Sequence, residues 1–381
     1  MTDKKTKLLL LHTTYKSTGG EDIAFRNESK YLEQEFETQK ILFSNVNELT
    51  CSEKITFFTN NNKSSNEILR NKIKDFKPTA LYVHNTWFRS SLGVFKTAKE
   101  ENLKVVLKLH NFRYDCINAL HFRNNSACHD CTINNRIPGV INKCYENSLL
   151  KSIGLTNYSK KYFEVIKNYV DVILVLTEFH KQYLQKLGFD SQKIFVLPNY
   201  LKQKSFDSKI KEKYFVYAGR ISSEKGIDYL IKEWKNSNTK NYKLKIIGDG
   251  PLSNLLFKNL KPQDNIEYLG ILSNEETIEI INSSAAVINP TRLYEGQPNF
   301  LCEATLQKVI SIFPDNGGIK EFFPENYPFI FKNHTKGLLK EKIDIVINNP
   351  ELVKNYEELN YNFLSKKLDK KQLIDTFNNI L

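Results

Sequence analysis

A short segment in the second half of the chain carries two glutamates around a turn and a predicted helix start. Glu295 and Glu303 are separated by seven residues, and Gly296 and Pro298 between them favour a turn before a helix that begins near Asn299. A helix start offers unpaired N–H groups and a partial positive charge, which suit a phosphate or a developing anion. We expect the first carboxylate to face a ligand in the loop and the second to accept hydrogen bonds from vicinal hydroxyls.

Two cations stand at another predicted strand-to-helix turn, upstream of the glutamates. Arg220 follows an apolar run directly, and Lys225 lies five residues later, just before Gly226. Two cations at such a turn form a natural clamp for a diphosphate. The alternative at this point is a glycine-punctuated turn with ordinary surface charges.

The elements that must position these residues recur in both halves of the chain. Short runs rich in Val, Ile and Leu alternate with stretches of helical spacing, and the rhythm restarts after Pro198. This alternation predicts two parallel α/β domains, whose ligands bind outside the carboxyl ends of the strands. Predicted strands comprise residues 7–12, 80–84, 105–110 and 172–177 in the first half, and 214–218, 244–248, 266–270 and 285–289 in the second.

Taken in order and spacing, the motifs resemble those of the retaining glycosyltransferases of family four, which have the GT-B fold. The resemblance implies an α/β protein of two Rossmann-like domains with parallel sheets that face each other across a cleft. It implies an acceptor-side domain over 1–200, a nucleotide-sugar donor domain over 201–360, and a C-terminal helix over 361–381 that packs back on the first domain. The motifs are Gly19-Gly20-Glu21-Asp22, His110, Val196-Leu-Pro-Asn199, Gly219-Arg220, Glu224-Lys225-Gly226, Ile247-Gly-Asp-Gly250-Pro251, Gly270, Pro290-Thr291, Glu295-Gly-Gln-Pro-Asn299 and Glu303-Ala304.

The resemblance also implies roles for the site residues. Arg220 and Lys225 would bind the diphosphate and stabilise it as the leaving group, Glu295 would contact the transferred sugar, and Glu303 would bind the ribose. His110 would meet the donor sugar from the acceptor side, so that the catalytic set is Glu295, His110, Arg220 and Lys225. The further donor-binding residues are Gly19, Gly20, Gly248, Gly250, Leu272, Gly296, Pro298, Asn299 and Phe300.

The reaction implied is transfer of a sugar with retention, by same-face attack in which the departing phosphate takes the proton. A UDP-sugar is favoured as the donor, with a GDP-sugar as the alternative, and the acceptor would be a carbohydrate or a lipid-linked oligosaccharide of surface polysaccharide synthesis. The Asp-x-Asp pattern that holds a metal-bound diphosphate is missing from the sequence, so no catalytic metal is expected. A nucleotide-sugar 2-epimerase of the same fold is the alternative.

Four of the six cysteines lie close together in the sequence. Cys128 and Cys131 form a C-x2-C centre with Cys116 and Cys144 on either side. This spacing suits a structural zinc bound by four thiolates, while free thiols and an iron–sulfur or redox site are the alternatives. The segment, an insertion over about 112–146, resembles a branch of these transferases found in capsule, exopolysaccharide and O-antigen gene clusters.

The net charge of the chain indicates which classes of partner it can bind. There are 55 Lys plus Arg against 43 Asp plus Glu, a formal net charge of +12, most of it in residues 1–200. Such a field favours anionic partners, here a polyprenyl-pyrophosphate-linked acceptor and peripheral contact with the inner face of the cell membrane. No apolar run is long enough to cross a bilayer, so a cytoplasmic location is expected. A zinc-containing nucleic-acid-binding protein is the alternative from another class, but paired zinc-finger histidines and a basic stripe are missing.

Overall fold

The chain divides into two compact α/β units. The computed structural model describes residues 6–16, 19–46, 56, 58–131, 135–201, 210–239, 241–258 and 260–381. The first unit takes in residues up to His121, Cys128–Tyr200 and Asp369–Leu381, and the second takes in Phe122–Ala127 and Leu201–Leu368.

The first unit is built on a six-stranded parallel sheet in the order β2-β1-β3-β4-β7-β8. Leu8 to Leu11 of β1 are all fully buried, as expected for a parallel strand that is covered on both faces. Its strands are β1 (Lys7–Thr14), β2 (Glu37–Ser44), β3 (Ala80–Asn85), β4 (Lys104–Leu109), β7 (Val172–Val175) and β8 (Ile194–Val196).

Helices cover this sheet and one of them comes from the end of the chain. Leu373, Phe377 and Ile380 of the last helix, α13 (Lys370–Ile380), join the core that contains Leu8 and Phe25. Asp369 caps α13 by accepting a hydrogen bond from the Lys371 N–H, so a break separates it from the preceding helix. The other helices of the first unit are α1 (Gly20–Glu35), α2 (Lys63–Phe76), α3 (Gly93–Glu100), α4 (Ile137–Ile141), α5 (Leu149–Tyr169) and α6 (Glu178–Lys186).

The second unit repeats the plan with a second parallel sheet in the order β11-β10-β9-β12-β13-β14. Phe215, Val216, Ile246 and Val287 are fully buried at its centre. Its strands are β9 (Tyr214–Ala218), β10 (Lys243–Ile247), β11 (Ile266–Gly270), β12 (Ala286–Ile288), β13 (Ser311–Pro314) and β14 (Ile330–Phe331), and a two-residue hairpin of β5 (Phe122–Arg123) and β6 (Ser126–Ala127) is grouped with them.

The helices of the second unit follow its strands in the alternation expected of parallel α/β proteins. They are α7 (Ile227–Asn236), α8 (Ser253–Phe257), α9 (Asn274–Asn282), α10 (Asn299–Leu306), α11 (Leu338–Asn348) and α12 (Pro350–Lys367). The predicted class, α/β with two parallel sheets, is therefore confirmed. No helix in the described part of the chain has the length and hydropathy needed to span a bilayer.

Candidate active site

The carboxyl ends of β9, β10 and β11 come together through glycines. The Gly248 N–H donates to the Gly270 carbonyl over 2.7 Å, and the Gly219 N–H donates to the Ile247 carbonyl over 3.0 Å. A Cβ atom on Gly248, whose φ is +122°, would lie 2.0 Å from the Gly219 carbonyl oxygen. Only glycine fits here, because any side chain would separate the two strand ends. Gly250 is equally restricted, since its Cβ would lie 2.4 Å from the Ile221 carbonyl oxygen.

Lys225 and Glu295, 70 residues apart in sequence, form an ion pair in the structure. The Lys225 ammonium lies 2.5 Å from Glu295 Oε1, and the Thr291 hydroxyl donates to the same oxygen over 3.1 Å. Both charged side chains are partly exposed. The turn that carries Lys225 ends at Gly226, where a Cβ would lie 2.0 Å from the Pro290 carbonyl oxygen. Two of the predicted catalytic residues are thus neighbours, held by a close approach of their two loops.

Arg292 fixes this approach and was not predicted from the sequence. Its guanidinium binds the Asp228 carboxylate with two hydrogen bonds of 2.8 and 2.9 Å, and it also donates to the Ser223 carbonyl over 2.6 Å. The Arg292 N–H donates to the Glu224 carbonyl over 2.9 Å. One arginine therefore ties the Glu295 loop to both sides of the Lys225 turn. A single Arg beside Pro290-Thr291 gives no sequence signal, because its partner depends on the tertiary structure.

Arg220 presents an uncompensated charge at the end of β9. The Arg220 carbonyl accepts a hydrogen bond from the Tyr217 hydroxyl over 2.7 Å, which fixes the backbone. Its side chain is exposed and makes no hydrogen bond or ion pair with any residue that the structure describes. Arg220 is therefore free to bind an anion, whereas the charge of Lys225 is shared with Glu295.

Helix α10 begins directly after the Glu295 loop, as predicted. Pro298 precedes it without a side-chain cap, and the Oδ1 atom of Asn299 is buried with no hydrogen-bond partner among the described residues. Such an acceptor is costly to leave unpaired, so a donor from a ligand is the natural completion. Glu303, one turn further, and Phe300 are half-buried. Cys302 between them is fully buried, and burial raises the pKa of its thiol, which argues against a reactive role.

The remaining predicted donor residues are less closely grouped. A cavity of about 750 Å³ beside β10 and β11 is lined by Asp249 and Tyr268, but not by Arg220 or Lys225. The Asp249 carboxylate accepts hydrogen bonds from the Ser253 hydroxyl and the Gly250 N–H, which lower its pKa. Leu272 does not line this cavity and packs instead against the core of the second unit.

In the first unit, His110 follows β4 and contacts a second histidine. His110 Nε2 lies 3.1 Å from His84 Nδ1, and the two rings stack with centroids 5.1 Å apart. Burial lowers the pKa of both, that of His84 to about 4. Both imidazoles are therefore neutral near pH 7, so His110 can serve as a hydrogen-bond partner rather than as a cation.

Glu28 and Lys108 form a buried ion pair that contacts His84. Glu28 binds the Lys108 ammonium and accepts a hydrogen bond from the Tyr82 hydroxyl over 2.8 Å, and its carboxylate lies 3.4 Å from His84 Nε2. Burial alone would raise the pKa of Glu28, but the charge and hydrogen bond of Lys108 and those of His84 together outweigh it, and the pKa falls to about 2. An uncompensated buried charge would be costly, so each member depends on the others.

Gly19 and Gly20 begin α1 in the first unit. Gly19 is the N-terminal cap, and its N–H donates to the Asp22 carboxylate over 2.8 Å, as does His12 Nε2. A Cβ on Gly19 would meet nothing closer than 3.8 Å. Neighbouring Glu21 accepts a hydrogen bond from the Tyr15 hydroxyl, and burial raises the pKa of Glu21 to about 7.

The four clustered cysteines lie in the first unit and form no disulfide bond with any residue that the structure describes. Burial raises the pKa of Cys116 to about 11 and also raises that of Cys131, to which the nearby charges of Cys144 and Cys128 add. No group of three or more metal-ligating side chains in the described part of the chain is arranged to hold a metal ion. The zinc site accordingly stays a prediction.

With the geometry established, comparison with known proteins identifies the second unit. Residues 201–363 match the family model of the glycosyl transferases group 1. This region is a glycosyl transferases group 1 domain. It contains Arg220, Lys225, Glu295 and Glu303, the charged residues on which the donor site was predicted.

Two curated proteins that are similar to this chain bear glycosyltransferase names. An uncharacterized glycosyltransferase of Haemophilus influenzae is 28% identical over 213 residues, 54% of this chain and 58% of that protein. The amylovoran biosynthesis glycosyltransferase AmsD of Erwinia amylovora is 27% identical over 195 residues, 49% of this chain and 55% of that protein. The chain thus spans somewhat more than half the length of these curated relatives.

Solved structures establish the fold over almost the whole chain. Anabaena Alr3699/HepE, solved in complex with UDP, has a TM-score of 0.68 at 12% identity and covers 98% of this chain and 100% of its own. Since the identity is low, the likeness concerns the fold alone. The predicted GT-B fold is therefore confirmed.

Proposed function

We propose that the protein transfers a sugar, with retention, from a nucleotide-sugar to a carbohydrate or lipid-linked oligosaccharide in surface polysaccharide synthesis. The observation that carries the proposal is the Lys225–Glu295 ion pair, in a region that matches the glycosyl transferases group 1 family and also contains Arg220, whose side chain has no partner among the described residues. Two cations with one carboxylate leave a net positive charge for a diphosphate. The name of the amylovoran biosynthesis relative and the UDP bound to HepE support the acceptor class and a UDP-sugar donor.

The proposed chemistry follows from how charge changes during transfer. As the glycosidic bond to phosphate breaks, negative charge grows on the departing diphosphate, and Arg220 and Lys225 stabilise it more than they stabilise the donor ground state. Lys225 is shared between Glu295 and the phosphate, so its ammonium also holds the Glu295 carboxylate at the transferred sugar. The departing phosphate accepts the proton of the acceptor hydroxyl, and no catalytic metal takes part.

The first unit would supply the acceptor side of the reaction. His110, neutral and held by His84, is suited to hydrogen-bond the transferred sugar without adding a charge that would oppose an oxocarbenium-like transition state. The free space at Gly19 would let the α1 N-terminus approach a phosphate. We place the enzyme on the cytoplasmic side of the cell membrane.

Binding and turnover test the proposal directly. We expect UDP to bind in isothermal titration and UDP-sugars to be hydrolysed slowly without acceptor, in the presence of EDTA as in its absence. Lys225→Ala and Glu295→Gln should each lower kcat/KM by about a hundredfold or more. The matched control is Lys232→Ala, an exposed lysine of α7, which should leave turnover unchanged.

Three results would contradict the proposal. The first is tight binding of a nucleic-acid duplex with no binding of UDP or GDP. The second is near-normal turnover of the Lys225→Ala protein. The third is a 2-epimer of the nucleotide-sugar as the sole product, which would identify the epimerase alternative.

A further inference from the structure

An unusual number of aliphatic side chains is exposed around the start of α5 in the first unit. Five large ones lie within a stretch of 17 residues, 137–153, and their exposed fractions range from 47% to 78%. They are Ile137, Ile141, Leu149, Leu150 and Ile153. We call these five residues the aliphatic face.

The aliphatic face belongs to two helices that pack against each other. On α4, Ile137 and Ile141 are one turn apart and point the same way, while Gly139 between them is buried. On α5, Leu149 and Ile153 are also one turn apart. The Tyr145 N–H donates to the Ser152 hydroxyl over 3.1 Å, which holds the connecting segment against α5. The exposure is therefore a feature of ordered structure.

Along α5 the exposed stripe changes from aliphatic to charged, with lysine in excess. Leu150 and Ile153 are followed on the same side by Asn157, Lys160, Glu164 and Lys167, all exposed. Phe58, 61% exposed, lies beside this stripe, since its carbonyl accepts a hydrogen bond from the Asn157 amide over 3.1 Å. Over residues 137–161 there are four lysines and one glutamate, a net charge of +3.

Apolar side chains flanked by lysines have one partner that matches both features. Exposure of aliphatic surface to water is unfavourable in free energy. An anionic lipid bilayer offers an apolar layer beneath negative headgroups. A protein partner would also cover the aliphatic side chains, but the surrounding lysines, with stems long enough to reach headgroups, favour the bilayer.

We propose that the aliphatic face inserts into the headgroup and acyl-chain boundary of an anionic bilayer, with Lys143 and Lys160 on the headgroups. This surface rests on the proposed function, because it would hold the first unit at the membrane in which a lipid-linked acceptor is anchored.

Vesicle sedimentation with the full chain tests this surface. The probes are sucrose-loaded vesicles of pure phosphatidylcholine and of equimolar phosphatidylcholine and phosphatidylglycerol. The wild-type protein should bind the second kind and bind the first only weakly. The Ile141→Ser, Leu150→Ser double variant should lose binding by on the order of a hundredfold, because two exposed aliphatic side chains no longer enter the bilayer.

Matched variants separate the apolar and charged contributions. Ile210→Ser with Leu255→Ser removes two aliphatic side chains of the second unit that are 91% and 72% exposed, and should leave binding unchanged. Lys143→Gln with Lys160→Gln should reduce the preference for phosphatidylglycerol. Circular dichroism and UDP titration of each variant exclude unfolding.

Every outcome of the vesicle experiments either supports the membrane proposal or overturns it. Equal binding by wild type and by the Ile141, Leu150 variant would overturn the proposal. Failure of the wild-type protein to sediment with the anionic vesicles would also overturn it. This holds whether light scattering finds a monomer or a dimer that the serine variant dissociates. UDP titration distinguishes the two proposals, since vesicle binding without UDP binding leaves the surface intact and removes the proposed enzyme.

Discussion

At the scale of single residues, the proposed donor site depends on contacts that hold charged groups from two loops. Lys225 and Glu295 meet only because their loops touch at Gly226 and Pro290 and are joined by Arg292. Arg292 does not reach Glu295 itself, so we regard it as a positioning residue. Its bidentate bond to Asp228 uses the planar fork of the guanidinium, which a lysine cannot reproduce.

Replacement of Arg292 should therefore impair catalysis through geometry. We expect Arg292→Lys to lower kcat by about tenfold or more, with a smaller change in the affinity for UDP, because the ion pair is displaced while Arg220 is intact. Steady-state kinetics with UDP titration measures both. Lys232→Arg on α7 is the control, and unchanged kcat for Arg292→Lys would contradict the role.

We expect glycine-to-alanine substitutions in the two units to have different effects on stability and turnover. Gly248→Ala should destabilise the second unit by about 2 kcal/mol or more, because the added Cβ would collide with the Gly219 carbonyl. Gly19→Ala should leave stability within about 0.5 kcal/mol and should weaken turnover, because under the proposed function the added methyl group would enter the space that the donor approaches. Urea unfolding and kinetics distinguish the two, and normal turnover of Gly19→Ala would remove Gly19 from the donor site.

At the scale of elements, the buried network of Glu28, Lys108 and His84 joins α1 to β3 and β4. Burial lowers the pKa of His84 from its ordinary value of 6.5 to about 4, whereas Lys108 and His84 together lower that of Glu28 from 4.5 to about 2 against the effect of burial. Both folded-state values lie below the unfolded ones, so both contributions are complete above the unfolded pKa and are lost as the pH falls towards the folded one.

The stability of the first unit should consequently fall in two stages on acidification. His84 should cause loss between about pH 6.5 and 4, and Glu28 below about pH 4.5, each on the order of 1–3 kcal/mol. Urea midpoints across pH measure this, and His84→Gln should reduce the first stage, to which His110 and His180 also contribute because burial lowers their pKa values too. The exposed His129→Gln is the control, and a flat profile from pH 7 to 4.5 would contradict the account.

At the scale of the whole molecule, two parallel α/β units share one chain, and the last helix returns to the first unit. Phe377 of α13 lies within 4.9 Å of Tyr82 between ring centroids and joins the core with Leu8. The insertion that carries four cysteines belongs largely to that same unit, next to the helices of the aliphatic face. A metal bound there would fix the segment between α3 and α5.

Elemental analysis tests the predicted zinc. Protein purified without chelator should carry close to one equivalent, and Cys131→Ser should lower the content and the melting temperature, since metal binding is coupled to folding. Cys302→Ser, a buried cysteine of the second unit, is the control and should keep its zinc. Less than about half an equivalent in the wild type would remove the four-thiolate site.

The sequence by itself determined the α/β class with its two parallel sheets, and it singled out the motif residues on which the proposed donor site rests. These follow from local patterns: strand-length apolar runs, glycines at strand ends, and charged residues at fixed distances from them. Gly248 and Gly226 could be singled out in this way, because the close backbone approach that requires them leaves a mark on residue type.

The tertiary structure alone decided which side chains meet and which are exposed. Arg292 became a positioning residue only when Asp228, 64 positions away, was brought beside it. The ion pair of Lys225 with Glu295, the His84–His110 contact and the exposure of Leu150 likewise had no sequence signal. Hydrophobicity is a property of each residue, whereas burial and pairing are properties of the packed chain, so spacing along the sequence cannot fix them.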